Sequence, residues 1–244
     1  MIPGLYPMFN HWHQNCAVWI YSDPHFGDKE LAVGQSYRPT DQEQVDAINR
    51  KCGRADTLII LGDVGDVSYV KKLRARYKIL IAGNHDAGMS NYQRVEVCEH
   101  FDKEKYTKHE AIEEMKKMYP DCAYSVGESI QFHQPFESWT VYADNKLFDE
   151  VYSGPLMIGE KLMLSHEPLD IKWAFNIHGH VHAHSHKNDK YHFNCCAEAI
   201  NFSPINFNQW MKMGYIAKIE SIHRSTINTA TIRKAKRIKN GGVK

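Results

Sequence analysis

The chain has 244 residues, with 30 Lys and Arg against 29 Asp and Glu, a formal charge of +1, and is 43% hydrophobic and 24% charged. This composition excludes a disordered or collagenous chain, and near-neutrality argues against wholesale electrostatic binding of nucleic acid. No run of about 18 apolar residues exists, which excludes a helical membrane span, and the N-terminal MIPGLYPMFNHWHQN has neither the basic nor the apolar region of a secretory signal. A cytoplasmic location is therefore expected, with Cys16, Cys52, Cys98, Cys122, Cys195 and Cys196 as reduced thiols. The vicinal pair Cys195-Cys196 is expected to place one thiol in the core and one outside, because neighbours on a strand point to opposite faces. The unusual number is 15 histidines.

The first element is CAVWIYS, 16–22, a short β-rich run that ends at Asp23-Pro24-His25-Phe26-Gly27. Thr40-Asp41-Gln42-Glu43 is a capping box, and the helix it opens places Val45, Ile48 and Cys52 on one face. TLIILGD at 57–63 reads as a buried strand, followed by a short basic helix with Lys71, Lys72, Arg74 and Arg76 and then the strand YKILIAGN at 77–84. Near-continuous apolar strands alternating with helices predict a central sheet covered by helices, with ligands at the rim formed by the C-terminal strand ends.

Residues 88–146 differ in character. A second capping box, Thr107 to Glu110, opens a charged helix to about Met118, and aromatic strand-like runs follow. This segment is expected to be an insertion packed over the sheet and not an independent domain. The β pattern resumes at KLMLSH, KWAFNIHGH and KYHFNC, with GYIAKIES as a last strand candidate. The expected division is a single domain over 1–210 and a terminal strand with a basic tail over 211–244. Nine Lys or Arg and one acid fall in 211–244, which leaves the body with a net charge of −7. The final RKAKRIKNGGVK is expected to be a mobile, solvated end, with a phosphate-seeking arm as the functional alternative.

Five short stretches follow the predicted strands: Asp23-Pro24-His25, Gly62-Asp63-Val64-Gly65-Asp66, Gly83-Asn84-His85-Asp86, Ser165-His166 and Gly179-His180-Val181-His182. Singly each is weak. Together they offer carboxylate, imidazole and amide donors without thiolate, a set suited to manganese, ferrous iron or zinc more than to magnesium alone. Seven such groups exceed the needs of one tetrahedral ion, which favours two ions sharing a carboxylate.

In this order the stretches resemble the calcineurin-like metallophosphoesterases, with D-x-H, G-D-x-x-D, G-N-H-[DE], H and G-H-x-H. SDPHFG with Tyr37-Arg38-Pro39, LSHEPL, NIHGHVHAHS and FNCCAEAINFSPI are similar to the small bacterial and phage-type branch. The resemblance implies a four-layer α/β sandwich, two mixed β-sheets flanked by helices, with the metal site at the sheet rim. It implies Asp23, His25 and His182 as ligands of a first ion, Asn84, His166 and His180 as ligands of a second, and Asp63 as the bridging carboxylate. His85 corresponds to the catalytic histidine, which is not a ligand, and Asp66 to the acid that orients it. The implied cofactor is two divalent ions, manganese first, with iron, zinc or nickel as alternatives. A hydroxide bridging the ions would attack phosphorus, and His85 would stabilise the leaving group or protonate it.

Other residues are weighed against plainer roles. Arg38 is a candidate phosphate grip, balanced against a surface arginine before Pro39, and Asn84 is expected to face substrate as well as metal. His178 and His184 are expected to support the ligands by hydrogen bonds, and direct ligation by these two or by His186 is not expected. Asn194 and Glu198 are expected to support the metal loops. Trp139, Phe136 and Tyr142 are expected in the core more than on a base. Val67 follows Asp66 where the related Ser/Thr protein phosphatases have Arg-Gly, which points away from phosphoproteins. The leading expectation is a phosphodiesterase on small, nucleotide-like esters. The alternatives are a nuclease that holds DNA or RNA with the basic tail, and a non-catalytic metal-containing binding module, against which the filled ligand set speaks. The expected partner is a small phosphoester, with nucleic acid reached through the tail and no membrane.

Overall fold

The computed structural model describes residues 2, 4–13, 16–34, 38–86, 96–120, 122–129, 137–144, 147–183 and 188–241. Tyr37, Phe136, His184 and His186 lie outside them. Strands and helices alternate as β1 (Val18–Tyr21), α1 (Lys29–Gly34), α2 (Asp41–Lys51), β2 (Thr57–Ile60), β3 (Tyr77–Ile81), β4 (Glu96–Asp102), α3 (Lys108–Met118), β5 (Ala123–Ser129), β6 (Ser138–Asp144), β7 (Glu150–Tyr152), β8 (Leu156–Gly159), β9 (Leu162–Leu164), β10 (Phe175–His178), β11 (His192–Asn194), β12 (Ile205–Asn206), α4 (Phe207–Lys212) and α5 (Ile222–Gly241). Both capping boxes form: Thr40 and Glu43 close the start of α2, and Thr107 and Glu110 that of α3. No helix among the described residues is long and apolar enough to cross a membrane.

Two compact units divide the chain, 1–89 with 151–244, and 90–150. The first holds a sheet in the order β12-β1-β2-β3-β7 and a second in the order β11-β10-β9-β8. β1, β2 and β3 are mutually parallel, as are β9, β10 and β11, while β12 and β8 add antiparallel edges. These mixed sheets flanked by helices are the α/β architecture expected. The core joins Val18, Ile20, Ile59 and Ile79 of one sheet to Leu162, Leu164, Phe175 and Ile177 of the other. Leu58, Ile60 and Leu80, on the opposite strand face, are equally buried, which explains the near-continuous apolar runs.

Residues 90–150 form a compact unit of their own. Its antiparallel sheet β4-β6-β5 and α3 enclose Phe101, Ala111, Met115, Val141 and Ala143. Trp139 packs on that cluster, donates its indole N–H to Tyr106 O at 3.0 Å and lies under Lys103, as expected of a core aromatic. Tyr142 is exposed.

Two local expectations are corrected. GYIAKIES is not a strand: Gly214 adopts φ 76°, a 3₁₀ turn runs from Tyr215 to Lys218, and Tyr215 stacks on Trp210 and Phe175. The basic tail is helical as far as Gly241 in α5, opened by Ser221, whose Oγ accepts the Arg224 N–H at 3.2 Å, and its side chains at 233–238 are exposed as expected of a solvated end. Cys195 and Cys196 are both fully buried: beyond the end of β11 at Asn194, Cys195 N–H donates to His178 O and Cys196 pairs with Ser22 in an isolated parallel bridge.

Trp210 anchors the contact of α4 with the second sheet, touching Phe175 and Phe193. Trp210→Ala should lower stability by about 3–5 kcal/mol in urea unfolding, by loss of buried surface and cavity formation. A loss below about 1 kcal/mol would contradict this packing.

Candidate metal centre

Each ligand candidate leaves the C-terminal end of a parallel strand. Asp23 and His25 follow β1, Asp63 follows β2, Asn84 and His85 follow β3, His166 follows β9, and His180 and His182 follow β10. The loops are tied to one another through the backbone: Asp23 N–H donates to Gly62 O, His25 N–H to Asp63 O, and Gly179 N–H to His166 O. Five of the ligand candidates, Asp23, His25, Asp63, His180 and His182, have φ between 43° and 71° without being glycine. Left-handed backbone at such residues costs free energy and clusters at functional sites, where packing over-determines it. Gly179 fits closely against this loop: a Cβ there would fall on Ser22 Oγ and on the Asp23 carboxylate.

The side chains converge in two groups. Donor atoms of Asp23, His25 and His182 lie within 4.8 Å of one another, and so do those of Asp63, His166 and His180. Asp63 Oδ2 stands between them, 3.4 Å from His25 Nε2 and 3.4 Å from His166 Nε2. Asn84 Oδ1 joins the second group, 2.8 Å from His166 Nε2 and 3.1 Å from His180 Nδ1. The residues fit a cation pair on their own evidence: His25 Nε2 is buried and has no hydrogen-bond partner among the described residues, and it points at two carboxylates. His166 Nδ1 lies 2.8 Å from Leu61 O, and donation there leaves Nε2 of the neutral ring free to ligate.

Surrounding groups hold the ligands. Asp86, to which the sequence reading gave no role, is buried and accepts N–H bonds from Asp63 at 2.8 Å, Val64 at 2.9 Å and Gly83 at 2.7 Å. The signal was an acid three residues beyond the turn glycine, able to fold back on it. Gln44 accepts from the Tyr21 hydroxyl and donates to Pro24 O. Asn194 donates to His182 O at 2.7 Å, and Glu198 Oε2 lies 3.3 Å from His182 Nδ1, the support expected of both. His178 is buried with Nδ1 on Gly179 O, also in a supporting position.

Two expected roles change with these surroundings. The Arg38 side chain is 3% exposed, pairs with Glu198 and donates to the carbonyls of Asp23 and Pro24. Its guanidinium thus braces the loop that carries Asp23 and His25. The Asp66 carboxylate accepts the Ser68 N–H at 2.9 Å and starts the 3₁₀ turn Val67–Lys72, and among the described residues it makes no hydrogen bond to His85. His85 is placed instead through its backbone, whose N–H donates to Asp63 Oδ1 at 3.0 Å. Its ring is exposed and 5.7 Å from that of His25.

Electrostatics follow from this packing. Burial pushes the Asp63 carboxyl up, but the hydrogen bonds from His166 and from His85 N–H, with the nearby imidazole charges, outweigh it and hold the group at about 2. Burial works against a charged His166, yet Asp63 and Asp23 raise it to about 9. Burial lowers His25, whereas the hydrogen bond to Glu198 raises His182.

His166 therefore carries a proton at neutral pH until a metal displaces it. Manganese affinity should rise as pH rises from about 6.5 towards 9, with proton release visible by calorimetry in buffers of different ionisation enthalpy; pH-independent binding would contradict this. Arg38→Ala should weaken metal binding by about 10–100-fold while leaving KM of metal-saturated protein little changed. A raised KM with unchanged metal affinity would restore the phosphate grip.

The calcineurin-like phosphoesterase family matches residues 17–194. A search of curated proteins gives no match. Among solved structures, the chain is similar to a protein of unknown function, AQ665 from Aquifex aeolicus, at 19% identity over 81% of this chain and 98% of that one, with a TM-score of 0.47. With the family matched across most of its length and both ligand groups in place, the chain belongs to the calcineurin-like phosphoesterases, whose members hydrolyse phosphoesters with divalent metals.

Proposed function

We propose that the chain is a two-metal phosphodiesterase acting on small, nucleotide-like diesters, with manganese as its working ion. The observation that carries this reading is the Asp63 carboxylate set between His25 and His166, each backed by further donors. Two divalent ions held there would supply a water activated near neutral pH and the charge that clamps phosphate oxygens.

The chain's own groups do the rest. Asp23, His25 and His182 would hold one ion, Asn84, His166 and His180 the other, and Asp63 both. Asn84 is exposed and so also within reach of a substrate oxygen. His85, exposed beside these residues, would stabilise charge on the leaving oxygen or hand it a proton, a contribution of typically about 10²–10⁴-fold. The preference for a diester is supported by Arg38: with its guanidinium engaged by Glu198, it is not free to balance the second charge of a monoester.

Manganese-loaded protein should turn over bis(p-nitrophenyl) phosphate and cyclic nucleotides faster than p-nitrophenyl phosphate, and a chelator should abolish all three activities. Monoester turnover equal to or above diester turnover would sink the diester assignment. His85→Asn should lose about 10²–10⁴-fold in kcat yet retain the metal-induced rise in Tm. Asp63→Asn should lose both. Near-wild-type turnover in either variant would remove the mechanism.

A further inference from the structure

Helix α5 is a separate piece of chemistry. Residues 222–241 contain Arg224, Arg233, Lys234, Lys236, Arg237 and Lys239 and no Asp or Glu. Among the described residues, Arg233, Lys234 and Arg237 form no ion pair with an acid. Thr226, Ala230, Arg233 and Arg237 recur at the spacing of a single helix face, with Lys234 at its border. This face and Trp173, from the turn before β10, line an open cavity of about 560 Å³. Trp173 is half-buried, and its indole Nε1 is shielded from solvent with no hydrogen-bond partner among the described residues.

Three cations with no ion pair among the described residues and an indole in one concave wall call for a partner that carries repeated negative charge and flat rings. A membrane surface fits less well. The exposed isoleucines of α5, Ile222, Ile227, Ile232 and Ile238, are spread around the helix at 100° per residue and do not gather into the apolar face an interfacial helix needs. Single-stranded nucleic acid matches both features, since its backbone follows positive grooves and its bases stack on aromatic side chains.

We propose that the groove between α5 and Trp173 binds single-stranded nucleic acid, with Arg233, Lys234 and Arg237 on phosphates and Trp173 against a base. This site is distinct from the metal centre and does not depend on the reaction assigned to it, because binding can be followed without metal.

The test is fluorescence anisotropy of a labelled oligodeoxynucleotide of about 20 residues with the full chain in EDTA, titrated between about 50 and 200 mM salt. Three phosphate contacts predict a log–log salt slope of about −2. Arg233→Gln/Lys234→Gln/Arg237→Gln should weaken binding at least about tenfold and remove most of that slope. Trp173→Ala should weaken binding about fivefold or more with the slope kept. Helical circular dichroism equal to wild type shows that the triple variant is folded, and its turnover of bis(p-nitrophenyl) phosphate should be unchanged. Wild-type DNA affinity in the triple variant or in Trp173→Ala would overturn the proposal, as would binding to phosphatidylserine–phosphatidylcholine vesicles with none to DNA. Loss of small-diester turnover in manganese-loaded wild type would strike the phosphodiesterase reading alone.

Discussion

The Asp86 carboxylate fixes the centre of this protein. It is buried, and a buried carboxylate is tolerable only when it is well hydrogen-bonded. Its three backbone donors, from Asp63, Val64 and Gly83, lie in the two loops that leave β2 and β3. Satisfying one charge thus holds both loops in register and turns Asp63 towards the imidazoles. Asp63 then takes the His85 N–H, so the carboxylate between the two donor groups and the backbone of His85 are set by the same hydrogen-bond chain. A charge-assisted network of this kind is strong and directional, which suits a site whose geometry must exist before its ligand arrives.

A second network does the same for the other half. Arg38 links Glu198 to the carbonyls of the Asp23 loop, and Glu198 contacts His182. His180 N–H donates to both oxygens of Asp23, and Cys196 Sγ accepts from His182 N–H. Burial of Cys196 pushes its thiol far up, which keeps it a neutral acceptor beside the carboxylate and not a competing thiolate ligand. The left-handed backbone at the ligand positions persists because these bonds over-determine it.

What the sequence made legible was local. Thr40 and Thr107 announce their helices because a capping box is written within four residues, and the five motif loops are recognisable because each follows its own strand. Long-range commitments were not visible. Arg38 and Glu198 stand 160 residues apart, so nothing near Arg38 signals that its charge is already engaged. Asp66 stands in sequence among the motif residues, whereas its described hydrogen bond goes to the turn it starts. GYIAKIES has strand composition, but the stacking of Tyr215 on Trp210 outweighs propensity there. In the tail, the lack of an apolar stripe concealed a helix whose exposed basic face needs none.

The distribution of ligands over two sheets has a consequence for the order of events during synthesis. The first 84 residues supply the candidates Asp23, His25, Asp63 and Asn84, and the remaining candidates, His166, His180 and His182, follow only after the whole 90–150 unit. Neither ligand group is complete before His180 and His182 emerge. A nascent chain therefore offers no complete donor group until the second sheet has been made. Both donor groups are complete only in molecules in which the two sheets have already met.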